Sequence, residues 1–293
     1  MKHNIRSLRE MKATGLPISW LTCYDYSFAT ALSESDLDMI LVGDSGGMVA
    51  LGYSDTVPVT MDEMVLLSAA VRRGAPNKFI VGDMPKGSYE ASDVEAVNNA
   101  MRFMKEAGCD AIKLEGAQSI SRRVAAIADA GIPVIGHIGL TPQSSSALGG
   151  YRVIGRESSE LEALQKAVQD LESAGAFAIL IEAIPPSVAK DLTAVAKSII
   201  FGIGAGRFTD GQLLILHDLL GLFPSFRPKF AKCYIPDVMD DFYSELSAQK
   251  DLAGYGRSTR KDGLHELSRL AVSKFVEDVR EKKFPSDVYS YKE

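Results

Sequence analysis

The chain is poor in cysteine. Cys23, Cys109 and Cys233 are odd in number, far apart and free of any CxxC pairing. That argues against a disulfide framework or a thiolate metal site, and for reduced, mostly buried thiols in a cytoplasmic protein. Long hydrophobic runs are also missing: no uninterrupted apolar stretch reaches the roughly 20 residues a membrane helix needs. The opening residues, Met1 to Ser7, are polar and carry no apolar core, so neither a secretory signal nor membrane association is expected. Positive charge is not in surplus. The formal net charge is −6, and the small basic group Arg227, Lys229 and Lys232 is spaced among apolar residues, which gives no nucleic-acid footprint. Of the four histidines, no two stand at a zinc-like spacing. No repeat of solenoid length is visible.

What the chain does have is material for a large core: 293 residues, 46% of them hydrophobic. One pattern recurs. Met39 to Val42 is apolar and ends in Gly43-Asp44-Ser45; Phe79-Ile-Val-Gly-Asp83, Ala111-Ile-Lys-Leu-Glu115 and Ala178-Ile-Leu-Ile-Glu182 follow the same rule. Each reads as a buried strand that delivers an acid at its C-terminal tip. Ile18–Cys23, Pro133–His137, Ile199–Ile203 and Lys229–Cys233 complete a set of eight candidate strands.

Helical spacing fills the intervals. Asp25 caps a helix over Phe28, Ala29 and Leu32; Thr60 and Glu63 form a capping box before Met64, Leu67 and Val71. Ser92 caps a helix whose expected inner face is Val94, Val97, Met101 and Met104, and later helices carry Leu161, Leu164, Val168 and Leu171, then Leu213 to Leu220. Gly46 to Pro58 reads as a long loop, and a polar helical region from about Asp237 to Lys282 is interrupted at Gly254-Tyr-Gly256. Buried strands alternating with amphipathic helices predict a parallel sheet covered by helices. Eight such units in this length predict a (β/α)8 barrel: one domain over residues 1–293, with extra C-terminal helices.

Active sites of this fold sit at the C-terminal strand ends. The tips offer Asp44, Ser45, Asp83, Lys113, Glu115, His137 and Glu182. One strand-end acid is often no more than a helix cap or an ion-pair partner; several at the same level make a site. Asp44, Asp83 and Glu115 are hard oxygen donors of the kind Mg²⁺ takes beside water and substrate oxygens. Lys113 and Glu115, two residues apart, point to the same side of their strand, where the ammonium can neutralise a substrate carboxylate or pair with Glu115 or Asp83. His137 offers a polar group at the mouth, and Glu182 is free to act as a base. His3, His217 and His265 have weak contexts, Gly202 to Gly206 is too little for a dinucleotide site, and Asp210-Gly-Gln212 and His217-Asp218 read as loop and helix structure. The residues alone predict a Mg²⁺-dependent barrel enzyme for a small oxygen-rich acid and do not name its reaction.

Taken together, the motifs resemble the ketopantoate hydroxymethyltransferase family. The matching stretches include Leu21-Thr-Cys-Tyr-Asp-Tyr-Ser-Phe-Ala29, Val42-Gly-Asp-Ser45, Asp83-Met-Pro85 with Gly87-Ser-Tyr89, Lys113-Leu-Glu-Gly116, Gly136-His-Ile-Gly-Leu-Thr-Pro-Gln143, Leu148-Gly-Gly-Tyr151 and Gly202-Ile-Gly-Ala-Gly206. The resemblance implies a (β/α)8 barrel assembled as a homodecamer. It also implies Mg²⁺, 5,10-methylenetetrahydrofolate as one-carbon donor and 3-methyl-2-oxobutanoate as acceptor. By the same resemblance Asp44, Asp83 and Glu115 are the metal-site acids, Asp44, Ser45, Asp83 and Lys113 surround the oxo acid, Glu182 is the proton acceptor and His137 a polar active-site group.

The sequence departs from the family pattern at Gly46, Lys86, Ala117, Ile181 and Ser144-Ser-Ser146, and residues of about 237–262 read as an insertion. Those departures raise the alternative of a divergent paralogue acting on another 2-oxo acid. A lyase or mutase of the isocitrate lyase and phosphoenolpyruvate mutase group is a further alternative, though the Lys-Cys-Gly-His loop typical of its lyases is absent. A non-catalytic scaffold is disfavoured by the full set of tip residues.

Overall fold

A computed structural model describes residues 2–144, 150, 152–250 and 263–292. The apolar runs form eight strands: β1 Ile18–Thr22, β2 Met39–Val42, β3 Phe79–Asp83, β4 Ala111–Glu115, β5 Val134–Gly139, β6 Ala178–Glu182, β7 Ile199–Ile203 and β8 Gly211–Leu214. All neighbours pair in parallel, and β8 closes onto β1 through Ile18–Gly211 and Leu21–Leu214. The expected (β/α)8 barrel is therefore present. Every strand residue is buried except Gly139 and Glu182, which are half-buried at the mouth. Helices cover one face of the sheet and the barrel interior takes the other, so the strands read as nearly unbroken apolar runs.

The outer layer begins with α1 Ile5–Thr14 and α2 Tyr26–Ser33, and continues with the one-turn α3 Gly46–Val49, α4 Met61–Gly74, α5 Asp93–Lys105 and α6 Ser121–Asp129. It ends with α7 Ser158–Ser173, α8 Pro186–Val195, α9 Leu216–Leu220, α10 Ile235–Lys250 and α11 Leu264–Arg280. The expected caps form: Asp25 accepts from Phe28 N, Thr60 and Glu63 make a reciprocal capping box, and Ser92 accepts from Glu95 N.

Several expectations need correction. The eighth strand is Gly211–Leu214, not Lys229–Cys233, and the helix placed over Leu213 to Leu220 begins only at Leu216. Only seven residues separate β7 from β8, so the chain returns without a covering helix. The cations of the 229–233 segment are engaged elsewhere: Lys229 donates to Ser290 O at 2.6 Å and Lys232 pairs with Asp278 at 2.9 Å. On α5 the buried face is Ala96, Ala100 and Phe103, while Val94 is 71% exposed. Two alanines let that helix approach the barrel closely, and Phe103 packs on Gly82, where a side chain would collide with its ring. The loop over Gly46 to Pro58 contains α3. Residues 251–262 of the expected insertion, including Gly254 to Gly256, lie outside the described residues, as do Ser145, Ser146, Leu148, Gly149 and Tyr151 of the second long loop.

At the N-terminal end of the barrel, acids clamp neighbouring strands. Asp38 accepts from Ser19 N at 2.8 Å and from Arg280 at 2.6 and 2.8 Å, tying β1 and β2 to α11. Asp110 accepts from Ile80 N at 2.9 Å and pairs with Arg72 and Lys2, both at 2.5 Å. Asp210 accepts from Ile200 N at 2.8 Å and from Lys12 at 2.9 Å. Each acid precedes an even-numbered strand and binds the amide of the strand before it, which satisfies a donor at the end of the ladder.

Candidate active site

The opposite end gathers the seven residues singled out from the sequence around one cavity of about 240 Å³. Strand register accounts for the grouping. Asp83 stands beside Lys113 and Glu115 beside His137 as cross-strand partners, while Glu182 ends β6 opposite Gly139. Neighbouring strands lie about 4.8 Å apart, so paired side chains meet. Asp44 and Ser45 follow β2 in a tight turn into α3. Gly46 makes that turn possible: a Cβ there would sit 2.6 Å from the Tyr24 ring, whose hydroxyl bonds Ser45 Oγ at 2.8 Å. Gly139 plays the same part on β5. Its φ of +91° and a Cβ path blocked by Glu182 O at 2.4 Å admit only glycine between the His137 and Glu182 strands.

Inside the cluster, Lys113 Nζ lies 2.7 Å from Asp83 Oδ1, 3.6 Å from Glu115 Oε1 and 3.4 Å from His137 Nδ1. The approach to Asp83 Oδ1 is not along a hydrogen-bonding direction, so that buried oxygen keeps unused acceptor capacity. His137 Nε2 is 3.2 Å from Glu182 Oε2. Burial, reinforced by Lys113, lowers the His137 pKa, so the ring is neutral at pH 7. A proton on Nε2 faces Glu182 and leaves Nδ1 open to Lys113, while Glu115 Oε1 also stands 3.2 Å from Nδ1.

Burial raises the carboxyls. Asp44 is pushed up to about 6, Asp83 to about 7 and Glu115 to about 7, and Glu182 is raised as well. Burial also works against the Lys113 ammonium, but the charges of Asp83, Glu115 and Asp44 outweigh it and raise its pKa. Four acids thus share one ammonium, and the excess negative charge favours a further cation. Among the described residues no three His, Cys, Asp or Glu side chains enclose a metal by themselves. A cation here would therefore be held by one or two carboxylates and complete its shell with water and ligand oxygens, which is how Mg²⁺ usually binds.

Sequence reasoning missed the group that fixes the acids. Gln143, 3% exposed, donates from Nε2 to Asp44 Oδ2 at 2.9 Å and from its backbone N to Glu115 Oε2 at 3.0 Å. Tyr89 donates to Gln143 Oε1 at 2.7 Å. Gln143 follows Thr-Pro in a loop, where no periodicity marks burial; its only sequence signal was membership in a motif. The departures Gly46, Lys86, Ala117 and Ile181 do not line the cavity. Gly46 packs on Tyr24, and Lys86 is a surface residue paired with Glu90 at 3.2 Å.

Similarity to known proteins bears on this arrangement. The family model of ketopantoate hydroxymethyltransferase matches residues 2–247. A 3-methyl-2-oxobutanoate hydroxymethyltransferase of Desulfotalea psychrophila is 50% identical over 80% of this chain and 84% of its own length. One of Moorella thermoacetica is 45% identical over 97% of this chain and 96% of its own. Solved structures add the fold alone. A phosphonopyruvate hydrolase complex with oxalate and Mg²⁺ superposes at TM-score 0.58 with 12% identity, covering 94% of this chain and 98% of that one. A 2,3-dimethylmalate lyase of the PEP mutase/isocitrate lyase superfamily does so at 0.56 with 13% identity, covering 95% and 98%. With the tip residues gathered on a closed barrel and relatives of this identity aligned along nearly the whole chain, the protein belongs to the ketopantoate hydroxymethyltransferase family and is a hydroxymethyltransferase.

Proposed function

We propose that the chain transfers a hydroxymethyl group from 5,10-methylenetetrahydrofolate to 3-methyl-2-oxobutanoate, giving 2-dehydropantoate, and that it works with Mg²⁺. The observation that carries the reading is the charge imbalance at the mouth: Asp44, Asp83, Glu115 and Glu182 around Lys113, the single cation among the described residues that line the cavity. Of the predicted metal set, Asp44 and Asp83 are the direct holders. Glu115 stands behind them, since its two oxygens already face Gln143 N and the His137–Lys113 pair. When bound, Mg²⁺ supplies Lewis-acid polarisation of the 2-oxo acid.

The chain's own residues do the rest. Lys113 and Ser45 bind and orient the oxo acid. Glu182, raised by burial, is a base matched to the proton on C3. As that C–H bond breaks, its electron pair passes to the carbonyl side of the acid and the proton rests on Glu182. His137 stands beside the base, with Nε2 3.2 Å from Glu182 Oε2. The new C–C bond then forms to the donor's methylene carbon as one of that carbon's two C–N bonds breaks. Water supplies the hydroxyl oxygen as the second C–N bond breaks, and the C3 proton and a water proton end on the two folate nitrogens of the departing tetrahydrofolate. The departures Gly46, Lys86, Ala117 and Ile181 do not line the cavity and so lend the alternative acceptor no support.

The same reading takes residues 1–293 as one domain that self-assembles in the cytoplasm; sedimentation analysis tests the assembly. Incubation with 3-methyl-2-oxobutanoate, 5,10-methylenetetrahydrofolate and Mg²⁺ is expected to yield 2-dehydropantoate, with EDTA stopping turnover and Mg²⁺ restoring it. Turnover indifferent to EDTA removes the metal from the reading, and a faster rate with another 2-oxo acid removes the acceptor.

A further inference from the structure

The cavity has two unlike halves. One is the charged cluster on β2 to β6. The other is walled by Ile215, Phe223, Phe226, Phe230 and Tyr291, from the segment after β8 and the C-terminal tail. Nothing in the chemistry of a small 2-oxo acid uses this second half. It nevertheless contains a carboxylate, Asp218, that is only 6% exposed and lines the cavity. No described residue hydrogen-bonds or ion-pairs with Asp218. Burial pushes it up to about 6, and the charge of Arg227 offsets that only partly. Beside it, His217 Nδ1 is buried without a hydrogen-bond partner among the described residues, the ring resting against Tyr24 at 5.4 Å. Buried polar groups in folded proteins are nearly always satisfied, and an unmet carboxylate is costly. Acids that only hold this fold together, such as Asp38, have their cations and amides in place.

We propose that this half seats the planar ring of the one-carbon donor, with Asp218 accepting two parallel N–H bonds from the ring's aminopyrimidine edge. The proposal rests on the folate reading above. A flat heterocycle gains area against aromatic walls. An adjacent pair of N–H donors matches a carboxylate fork, as a guanidinium does, and an anionic group is repelled. Ser45 and Asp218 line the same cavity, and behind its surface Tyr24 links their elements, bonding Ser45 with its hydroxyl and resting its ring against His217. Donor and acceptor held in the two halves therefore lie in one cavity, as transfer between two substrates requires.

The test measures binding of 6-methyltetrahydropterin, the ring alone, and of tetrahydrofolate by calorimetry, in wild type and Asp218→Asn. Deuterium exchange at C3 of the oxo acid, which needs no donor, is followed in parallel. Losing a charge-assisted pair of bonds is expected to weaken both ligands by roughly 10- to 100-fold, with exchange kept at its wild-type rate and no fall in melting temperature. Competition on the wild type supplies a check independent of the variant: the pterin, not p-aminobenzoylglutamate, displaces tetrahydrofolate. Equal binding by Asp218→Asn, or displacement by p-aminobenzoylglutamate alone, overturns the ring placement and leaves the folate reading standing. A wild type that binds neither ligand overturns both.

Discussion

The two ends of this barrel use acids in opposite ways. At the N-terminal end Asp38, Asp110 and Asp210 each have a strand amide and at least one cation of their own. At the C-terminal end four acids, three of them buried and Glu182 half-buried, share Lys113 among the described residues. Asp38 shows the consequence: burial works against its charge, but His3, Arg280 and Ser19 outweigh it and hold the carboxyl below its ordinary value. At the other end burial prevails, and the carboxyls are raised. One end is electrostatically complete and stabilises the fold. The other is kept incomplete at a cost in stability, so that a cation and a substrate acid complete it.

The sharpest way to break the comparison is Glu182→Gln. Removing a general base costs on the order of 10²- to 10⁴-fold, so C3 exchange is expected to fall about that far. Because a half-buried, raised carboxylate is replaced by a neutral group, the melting temperature is expected to hold or rise. A fall in both sinks the assignment of Glu182 to chemistry. At the other end Asp38→Asn leaves Arg280 and His3 without their acid, and breaking a buried pair costs about 3 kcal/mol. Urea unfolding should show that loss, with kcat/KM unchanged.

The pH dependence has opposite signs at the two ends. Asp38 is depressed, so its stabilisation is present above the unfolded carboxyl value and is lost as pH falls through its folded value. Asp44, Asp83 and Glu115 are raised, so the folded protein holds more protons than the unfolded chain between about pH 4 and 7. Their penalty is full above pH 7 and fades as pH falls. Mg²⁺ must displace those protons, so its affinity is expected to rise from pH 5.5 to 7.5, each tenfold gain being worth about 1.4 kcal/mol. Calorimetry that shows flat affinity over this range argues against these acids as its holders. The smallest effect expected is that of Gly46→Ala. Its Cβ would meet Tyr24 at 2.6 Å, and overpacking costs roughly 1–3 kcal/mol. The loss of melting temperature should be accompanied by a raised KM for the oxo acid, because Tyr24 supports Ser45.

Much of this was legible because of how parallel strands are buried. Covered on both faces, β2, β3, β4 and β6 appear in the sequence as short apolar runs, and an acid that ends such a run is conspicuous. The eighth strand was not legible: Gly211–Leu214 is only four residues, opens on a glycine and runs within two residues of a helix. It is a strand because β7 and β1 flank a gap that closure must fill.

The sequence by itself determined seven of the eight strands, the caps and the seven polar residues at the strand tips, since each depends on periodicity or on neighbours a few positions away. Only the tertiary structure decided the rest. It set the register that puts Asp83 beside Lys113 and Glu115 beside His137. It brought Gln143 to Asp44 across 99 positions of chain, and left Asp218 buried with no hydrogen-bond or ion-pair partner among the described residues while Asp38 received Arg280. These outcomes depend on which strand closes against which and on what remains uncovered once the barrel is shut. No local stretch of chain contains that information.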